Sequence, residues 1–448
     1  MRTARQLPDG RWVVPDNRWD LLDGRSPRPA PHVSVIVPYF QAQTRLDLVL
    51  TALALQTHPA SRLEVVVADD GSATAPRIPP AAAGLDVRVV RQPDRGFRAG
   101  AARNLGARHS SGEVLCFLDG DTVPEPDYVE RMARLPALLP DALVTGRRRH
   151  ADLRGWTPAR LTTWLLGTGQ APAELGEPQW LVDLGAGGLL DADDGSYRAV
   201  ISAVMACSAE LFTEVGGFDE SFTGYGGEDW ELAHRMLTAG AVLAHERTAT
   251  GWHDGPDWAG RTRNTADARA QKQAESLALA QRVPEPGARA GHGWFPLPDV
   301  AVRLRGRGAV SATVCSLLDS RGVDLGVWVD GVDLDELDHG LAGDPRVHPG
   351  APAVPVLASC RTVVTVPAPC LLGPHTLSRV VDQVRPGGAG ELRLHVAGGR
   401  QLRVSASRAL HRAGRWAGRF GVTDDELVAE LFGVRDLGPA EAAALGVH

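Results

Sequence analysis

Residues 114–121 read Val-Leu-Cys-Phe-Leu-Asp-Gly-Asp, an apolar run that ends on two carboxylates. A buried strand has no use for Asp119 and Asp121 at its carboxyl end unless something positive binds there. Carboxylate oxygens are hard ligands that suit Mg2+ or Mn2+. Ligands of open α/β sheets sit just beyond the carboxyl ends of the strands. The tripeptide therefore points to a divalent metal holding a phosphate-bearing substrate; its plainer alternative is an N-cap before the next helix. A second acidic pair, Asp69-Asp70, closes another apolar run, Leu63–Ala68. Several carboxylates on one rim repel one another unless a cation offsets them. The coincidence carries more weight than either pair alone.

The surrounding pattern predicts the elements that hold these residues. Val33–Val37 is a buried strand closed by Pro38. A helix follows from Thr44, with Leu46, Val49, Leu50 and Leu53 on one face and Thr44 with Asp47 as a capping box. Leu63–Ala68, Val87–Val90 and Val114–Leu118 read as further strands, with an Ala-rich helix over 97–109. Strands alternating with helices through short links mean a parallel, doubly wound sheet. Residues 150–198 read as irregular, with Gly185-Ala-Gly-Gly188 and an acidic patch at Asp191, Asp193 and Asp194. Such a long loop is either a lid or acceptor loop or plain surface. Ala199–Cys207 reads as a strand and 208–213 as a helix capped by Ser208. After the glycines of 216–227, Glu228-Asp229 opens a helix that carries Leu232, Met236 and Leu237 inward. Ala241–Leu243 and Thr250–Trp252 suit short strands, and His253 follows the second.

A chain of 448 residues exceeds one ordinary core, so two domains are expected. The boundaries read 1–32 as an amino-terminal extension, 33–283 as the first domain, 284–298 as a linker and 299–448 as a second α/β domain. Hydrophobic content of 44% and charged content of 23% are those of a globular protein. A net charge of −7 gives no support to nucleic-acid binding. Cys116, Cys207, Cys315, Cys360 and Cys370 have neither zinc-ligand nor redox spacing. The first residues hold no apolar signal region and no apolar run reaches ~18 residues. A cytoplasmic protein is expected, with peripheral contact at the inner membrane face and a homodimer left open.

Val33-Ser-Val-Ile-Val-Pro38, Gln56-Thr-His-Pro59, Ala68-Asp-Asp-Gly-Ser72, Gly96-Phe-Arg-Ala-Gly-Ala-Ala-Arg-Asn-Leu-Gly106, Phe117-Leu-Asp-Gly-Asp121 and Gly226-Gly-Glu-Asp-Trp-Glu-Leu occur in this order. Together they resemble the family-2 glycosyltransferases of GT-A fold over residues 33–255. The last segment also resembles the carboxy-terminal motif of β-1,4-galactosyltransferases and of chondroitin-type polymerases. The resemblance implies a Rossmann-like, mostly parallel GT-A domain. It also implies a nucleoside-diphosphate sugar as donor, most often UDP-linked, and a glycan, lipid-linked or small-molecule acceptor. By the same resemblance, Pro38, Asp69, Asp70, Arg98, Asn104, Asp119 and Gly120 contact the donor. Asp121 and His253 bind Mn2+ or Mg2+, and Asp229 is the catalytic base. Glu228 bonds sugar hydroxyls, and Trp230 and Tyr225 meet the acceptor. An Asp at position 229 goes with inversion, giving a β-linkage from an α-linked donor. Related retaining enzymes carry Glu-Asn here. The galactosyltransferases have a methionine ligand where this chain has Thr250, which leaves Mn2+ against Mg2+ open. A retaining transferase, a nucleotidyltransferase and a non-catalytic sugar-nucleotide-binding assembly subunit are the alternatives.

The second half carries a faint echo of the first. A polar helix over 262–282 and the Pro284-Glu-Pro286 linker lead to Val300–Leu304 and Ser311–Leu318 as a first strand and helix. Leu325–Val329 ends in Asp330-Gly331, and Val363–Val366 aligns with the strand before Asp119. Ala368-Pro369-Cys370 stands where the first half has its carboxylates, so a degenerate GT-A-like half without a metal motif is expected.

Overall fold

A computed structural model describes residues 2–224, 226–256, 265–289, 295–305, 310–331, 337, 339–367, 369–396 and 399–448. A small hairpin of β1 (Arg5–Gln6) and β2 (Trp12–Val13) precedes two large sheets. The first sheet is built from β3 (Val33–Tyr39), β4 (Leu63–Asp69), β5 (Asp86–Arg91), β6 (Val114–Leu118), β7 (Thr122–Pro124), β8 (Ala142–Asp152), β9 (Ala173–Glu174), β10 (Val204–Ser208) and β11 (Val242–Asp254). Its order is β5-β4-β3-β6-β10-β8-β11-β7, with β9 on the edge of β8. The first four strands run parallel, β10 is antiparallel to both neighbours, and β11 is parallel to β8. The valine-rich strands β3 and β4 need cover on both faces, and helices supply it.

Those helices are α1 (Gln43–Leu53), α2 (Ala99–Arg108), α3 (Tyr128–Leu138), α4 (Pro158–Leu165), α5 (Gln179–Leu184), α6 (Ala209–Glu214), α7 (Glu228–Thr238) and α8 (Thr265–Arg282). Alternation sends Val33, Val35 and Val37 toward α1 and α3, and Ile36 with Leu115 and Phe117 toward α6 and α7.

Local differences from the sequence pattern have local causes. Helix α1 begins at Gln43, and Thr44 does not cap it. The Gln43 amide donates to Asp47 at 2.7 Å, which takes up the capping partner. Residues 150–198 are not irregular throughout, because Thr157 caps α4 with Pro158 in its first turn, and α5 follows. The strand expected from Ala199 starts only at Val204, whose N–H turns back to the Ile201 carbonyl. Ser208 caps α6 as the pattern predicts. The two short strands after α7 are one strand, β11, bulged between Glu246 and Thr250, and His253 lies inside it.

The second sheet comprises β12 (Val300–Arg305), β13 (Leu325–Asp330), β14 (Val347–Pro349), β15 (Thr362–Pro367), β16 (Glu391–Val396), β17 (Arg400–Ala406) and β18 (Val434–Leu437), in the order β14-β13-β12-β15-β17-β16-β18. Place for place this repeats β5-β4-β3-β6-β10-β8-β11, in chain order and in every strand direction. The parallel sheet expected after residue 298 is present. Among the described residues, β7 has no counterpart there. Pro369 and Cys370 follow β15 where Asp119-Gly120-Asp121 follow β6, and Ala368 lies outside the described residues.

The helix Ser407–Phe420 fastens this second unit to the first. The fully buried Arg412 guanidinium donates to the carbonyls of Gly240 (2.7 Å), Val14 (3.0 Å) and Asp16 (2.6 Å). Asp141, also fully buried, accepts from Trp416 Nε1 at 2.8 Å and from Arg415. Gly240 must be glycine, since its φ is +88° and a Cβ would lie 2.6 Å from the Arg408 carbonyl. These contacts grip the turn that ends α7. Asp141→Ala leaves a buried guanidinium and an indole N–H short of a partner, so urea unfolding should show a loss of about 3–5 kcal/mol.

Candidate active site

The turn after β6 is tight. Thr122 N–H closes on the Asp119 carbonyl at 3.0 Å, and Asp119 N–H reaches the Ala203 carbonyl at 3.3 Å. A Cβ on Gly120 would lie 2.7 Å from the Pro38 carbonyl, so only glycine lets this turn press against the end of β3. Gly120→Ala should therefore lower stability by about 1–3 kcal/mol in thermal or urea denaturation.

Asp121 and His253 are 132 residues apart and meet through strand pairing. His253 stands opposite Thr122 where β11 runs antiparallel to β7, and Asp254 N–H donates to the Asp121 carbonyl at 2.9 Å. His253 Nδ1 then lies 3.0 Å from Asp121 Oδ1. The imidazole is buried, and its Nε2 has no hydrogen-bond partner among the described residues. His150 packs edge-on against it, with ring centroids 5.1 Å apart. Arg45 lies 4.0 Å from Asp121 and 3.0 Å from Asp254. Among the described residues no group of three or more His, Cys, Asp or Glu converges as a metal cage. One carboxylate and one imidazole fit an ion that takes its other ligands from water and phosphate oxygens, as Mg2+ does. The nitrogen placed to share an ion with Asp121 is Nδ1, which already faces its carboxylate.

The ends of β4 and α2 shape the neighbouring rim. Asp69 is fully buried; its Oδ1 accepts Ser72 N–H at 2.9 Å. Its Oδ2 accepts no hydrogen bond and lies 3.4 Å from Arg91 Nε. Asp70 accepts from Gln92 (2.6 Å) and from Arg98 N–H (2.9 Å), tying the loop before α2 to β4. The Arg98 side chain turns toward Glu220 at 3.7 Å. Asn104 is engaged as a clamp: its amide donates to the Phe218 carbonyl (2.9 Å) and Glu220 (3.1 Å) and accepts Phe218 N–H (2.9 Å).

Glu228 and Asp229 open α7 behind Gly227, whose φ of +97° turns the chain into the helix. Glu228 is buried and Asp229 half-buried. Between them and β6 lies Arg103, only 4% exposed. It donates to Asp119 at 2.7 Å and to Glu228 at 3.1 Å. Burial opposes its charge, yet Asp119, Glu228 and Asp229 together hold its proton more tightly than usual. Asp229 accepts Trp230 N–H at 2.9 Å and Ser202 N–H at 3.4 Å. Burial, and then repulsion from Glu228, pushes its carboxyl up to about 7, against the pull of Arg103. A carboxylate with that affinity can accept a proton near neutral pH.

Trp230 follows directly. Its ring meets Tyr197 and Trp180 edge-to-face, each with centroids 6.4 Å away, and Lys272 Nζ lies 5.2 Å from it. Tyr225 lies outside the described residues. Thr250, on β11, is buried. The structure thus gathers Pro38, Asp119, Gly120, Asp121, His253, Glu228 and Asp229 around the ends of β3, β6, β11 and α7. It keeps Asp69, Asp70 and Arg98 on the adjoining β4–α2 rim. Arg103 joins the two, and sequence reasoning gave it no role. Its signal was an arginine among Gly100, Ala101 and Ala102, small residues that let a helix approach closely.

Comparison with known proteins agrees with the motifs. The model of glycosyl transferase family 2 matches residues 34–185, and that of the N-terminal domain of galactosyltransferase matches residues 194–249. A validoxylamine A glucosyltransferase of Streptomyces hygroscopicus subsp. limoneus is 31% identical over 237 residues, 49% of this chain and 51% of that one. A hyaluronan synthase of Pasteurella multocida is 30% identical over 268 residues, 56% of this chain and 27% of that one. The alignments thus span about half the length of the first relative and about a quarter of the second. A solved mannosyltransferase of Pyrobaculum calidifontis, in complex with GDP-Man and Mn2+, aligns over 64% of this chain and 69% of its own, at 18% identity and a TM-score of 0.38. The resemblance to family-2 glycosyltransferases read from the motifs is the one these comparisons find, and the first sheet has the mixed, parallel-rich α/β topology it implied. No helix among the described residues is long and apolar enough to cross a membrane.

Proposed function

We propose that this chain is a metal-dependent, inverting glycosyltransferase. It moves a hexose or N-acetylhexosamine from a UDP-linked sugar to an acceptor hydroxyl of a glycan, glycolipid or other metabolite. One observation carries the reading. A paired Asp121 and His253 stand on the same rim as Asp229, whose carboxyl has been raised into the range of a base useful at neutral pH.

Asp121 and His253 would hold Mn2+ or Mg2+, which supplies positive charge to a departing diphosphate. Asp69, buried behind the rim, and Asp70, which keeps the α2 loop against it, would form the base end of the donor site. Arg103 fixes Glu228 beside Asp229, where its carboxylate would bond a sugar hydroxyl. Asp229, oriented by Ser202 N–H and Trp230 N–H, takes the proton of the acceptor hydroxyl. That oxygen attacks the anomeric carbon in line with the departing diphosphate, so an α-linked donor gives a β-linkage. The residues 1–32, 33–283, 284–298 and 299–448 then serve as extension, catalytic domain, linker and support.

Release of the nucleoside diphosphate from a panel of UDP-, GDP- and dTDP-sugars, with Mn2+, Mg2+ or EDTA, tests the reading. Turnover of one donor, abolished by EDTA and by Asp121→Asn, is the expected result, with a β-configured product. Asp229→Asn should lower kcat by about 10²–10⁴-fold. Wild-type turnover in both variants would contradict the roles given to Asp121 and Asp229; silence with every donor, together with no metal-dependent nucleotide binding, would favour the non-catalytic alternative, and an α product the retaining one.

The raised Asp229 carboxyl also fixes a pH dependence. The base is its deprotonated form, so the rate should rise with pH through about 7 and fall below it. Glu228→Gln removes the neighbouring negative charge that holds the proton on Asp229. The acidic limb should therefore move to lower pH, whatever happens to the maximal rate. A pH–rate profile with an unmoved limb would contradict the coupling.

A further inference from the structure

We infer that the cavity between the two units is a binding site for a phosphate-bearing anion, either inorganic phosphate or a phosphorylated small molecule, held by Arg385 and Arg408. The cavity has a volume of about 440 Å3, within the range of roughly 300–1,000 Å3 that small-molecule sites occupy. One wall is the end of α7, with His234, Leu237 and Thr238. Another belongs to the second unit and carries Arg361, Arg385, Arg408 and Arg412. None of the lining residues belongs to the rim around Asp121 and Asp229, so the site stands independently of the transferase reading.

Carboxylates line the same cavity, and their partners decide its charge. Asp194 is shared by Arg361 and Arg385, the latter at 2.6 Å. Asp16 accepts from Arg2 at 2.7 Å. Asp193 accepts from the Ser196 hydroxyl and the Gly195 N–H of its own turn. Asp191 is exposed, where water and salt screen it. Arg361 also holds Asp299 through bonds of 2.7 and 2.6 Å. Arg408 and Arg412 are left without a carboxylate at hydrogen-bond distance among the described residues. Arg408 lies 3.6 Å from Asp16 and Arg412 4.0 Å from Asp141, and both donate to backbone carbonyls instead. Burial holds both guanidiniums below their usual affinity for the proton, Arg412 down to about 10, where repulsion from Arg408 adds to it. Arg361 and Arg385, with carboxylate partners, are raised instead. The unmet positive charge is thus local to Arg408 and Arg412. Two such cations call for two negative charges. A phosphate monoester carries about −1.5 to −2 at pH 7, whereas a lone carboxylate brings one. Guanidinium forks match phosphate oxygens. Arg385 and Arg408 keep 33% and 17% of their side chains accessible, so they can reach an ion that Arg412, at 2%, attracts only through space. The α7 wall also holds an unsatisfied ring. His234 is buried, and neither of its nitrogens has a hydrogen-bond partner among the described residues. Burial, and then Arg361, keeps this imidazole neutral, with its pKa down to about 3. Native proteins meet such a ring with a bound group or water.

Calorimetric titration of the full chain with sodium phosphate and with glucose 6-phosphate tests this, at constant ionic strength. Divalent ions are first removed on a chelating resin, which keeps phosphate from being held by a metal at Asp121. Arg385→Gln and Arg408→Gln are compared with the wild type, and thermal denaturation without ligand confirms that each is folded. Arg385, the more accessible of the two, decides the case alone should Arg408→Gln unfold. The wild type should bind at least one probe saturably. Each folded variant should bind it about tenfold or more weakly, the size of one charge-assisted hydrogen bond. Tighter binding of glucose 6-phosphate than of phosphate would make the ligand a phosphorylated metabolite, and the reverse would make it phosphate itself. Absence of saturable binding with both probes would overturn the site. Binding that either folded variant retains at wild-type strength would place the anion away from these arginines and overturn it equally.

Discussion

The buried guanidinium of Arg103 is the contact on which the geometry of the site turns. It reaches Asp119 on one side and Glu228 on the other, with Asp229 close enough to add to its field. A cation this deep is costly unless paired, and the carboxylates would repel one another without it. Helix α2 can carry it there because Gly100 stands where a Cβ would lie 3.3 Å from Phe218 and 3.7 Å from Glu228. One residue further, Asn104 fixes the turn that leads to α7. The rim proposed for the donor and the helix proposed to carry the base are thereby held by adjacent side chains of one element, and the Asp229 environment follows from that arrangement.

The second unit acts on the other end of the same helix. Arg412 closes on the Gly240 carbonyl and Arg415 on that of Ala239, both just beyond α7. The unit that supplies these arginines repeats the strand order of the first, but among its described residues it has neither β7 nor a carboxylate pair after its fourth strand. The second unit braces the end of α7. Its buried arginines bind backbone carbonyls, a role that needs shape and charge and no chemistry.

Much of this was legible in the residues. Val33–Val37, Leu63–Ala68 and Val114–Leu118 are β-branched or apolar except for Ser34 and Glu64, and such runs have one stable environment, between helix layers. Hence the order of elements, the rim carboxylates and even the second sheet could be read. The partnership of Asp121 with His253 could not come from spacing, because it depends on the register of β7 on β11, and a bulge at 246–250 separates the parts of that strand. The role of Arg103 was hidden for a similar reason: an arginine on an Ala-rich helix reads as solvated until the facing carboxylates are known. The 150–198 segment misled because its helices are short and largely exposed, so α5 shows no buried periodicity.

Calorimetric titration of the full chain with UDP, in Mn2+ and in EDTA, tests the central claim most directly, because it asks about the metal and the nucleotide before any turnover. The account predicts saturable UDP binding with Mn2+ that is lost in EDTA and in His253→Ala, with Asp229→Asn binding like the wild type. Equal binding with and without metal, or binding untouched by His253→Ala, would contradict it.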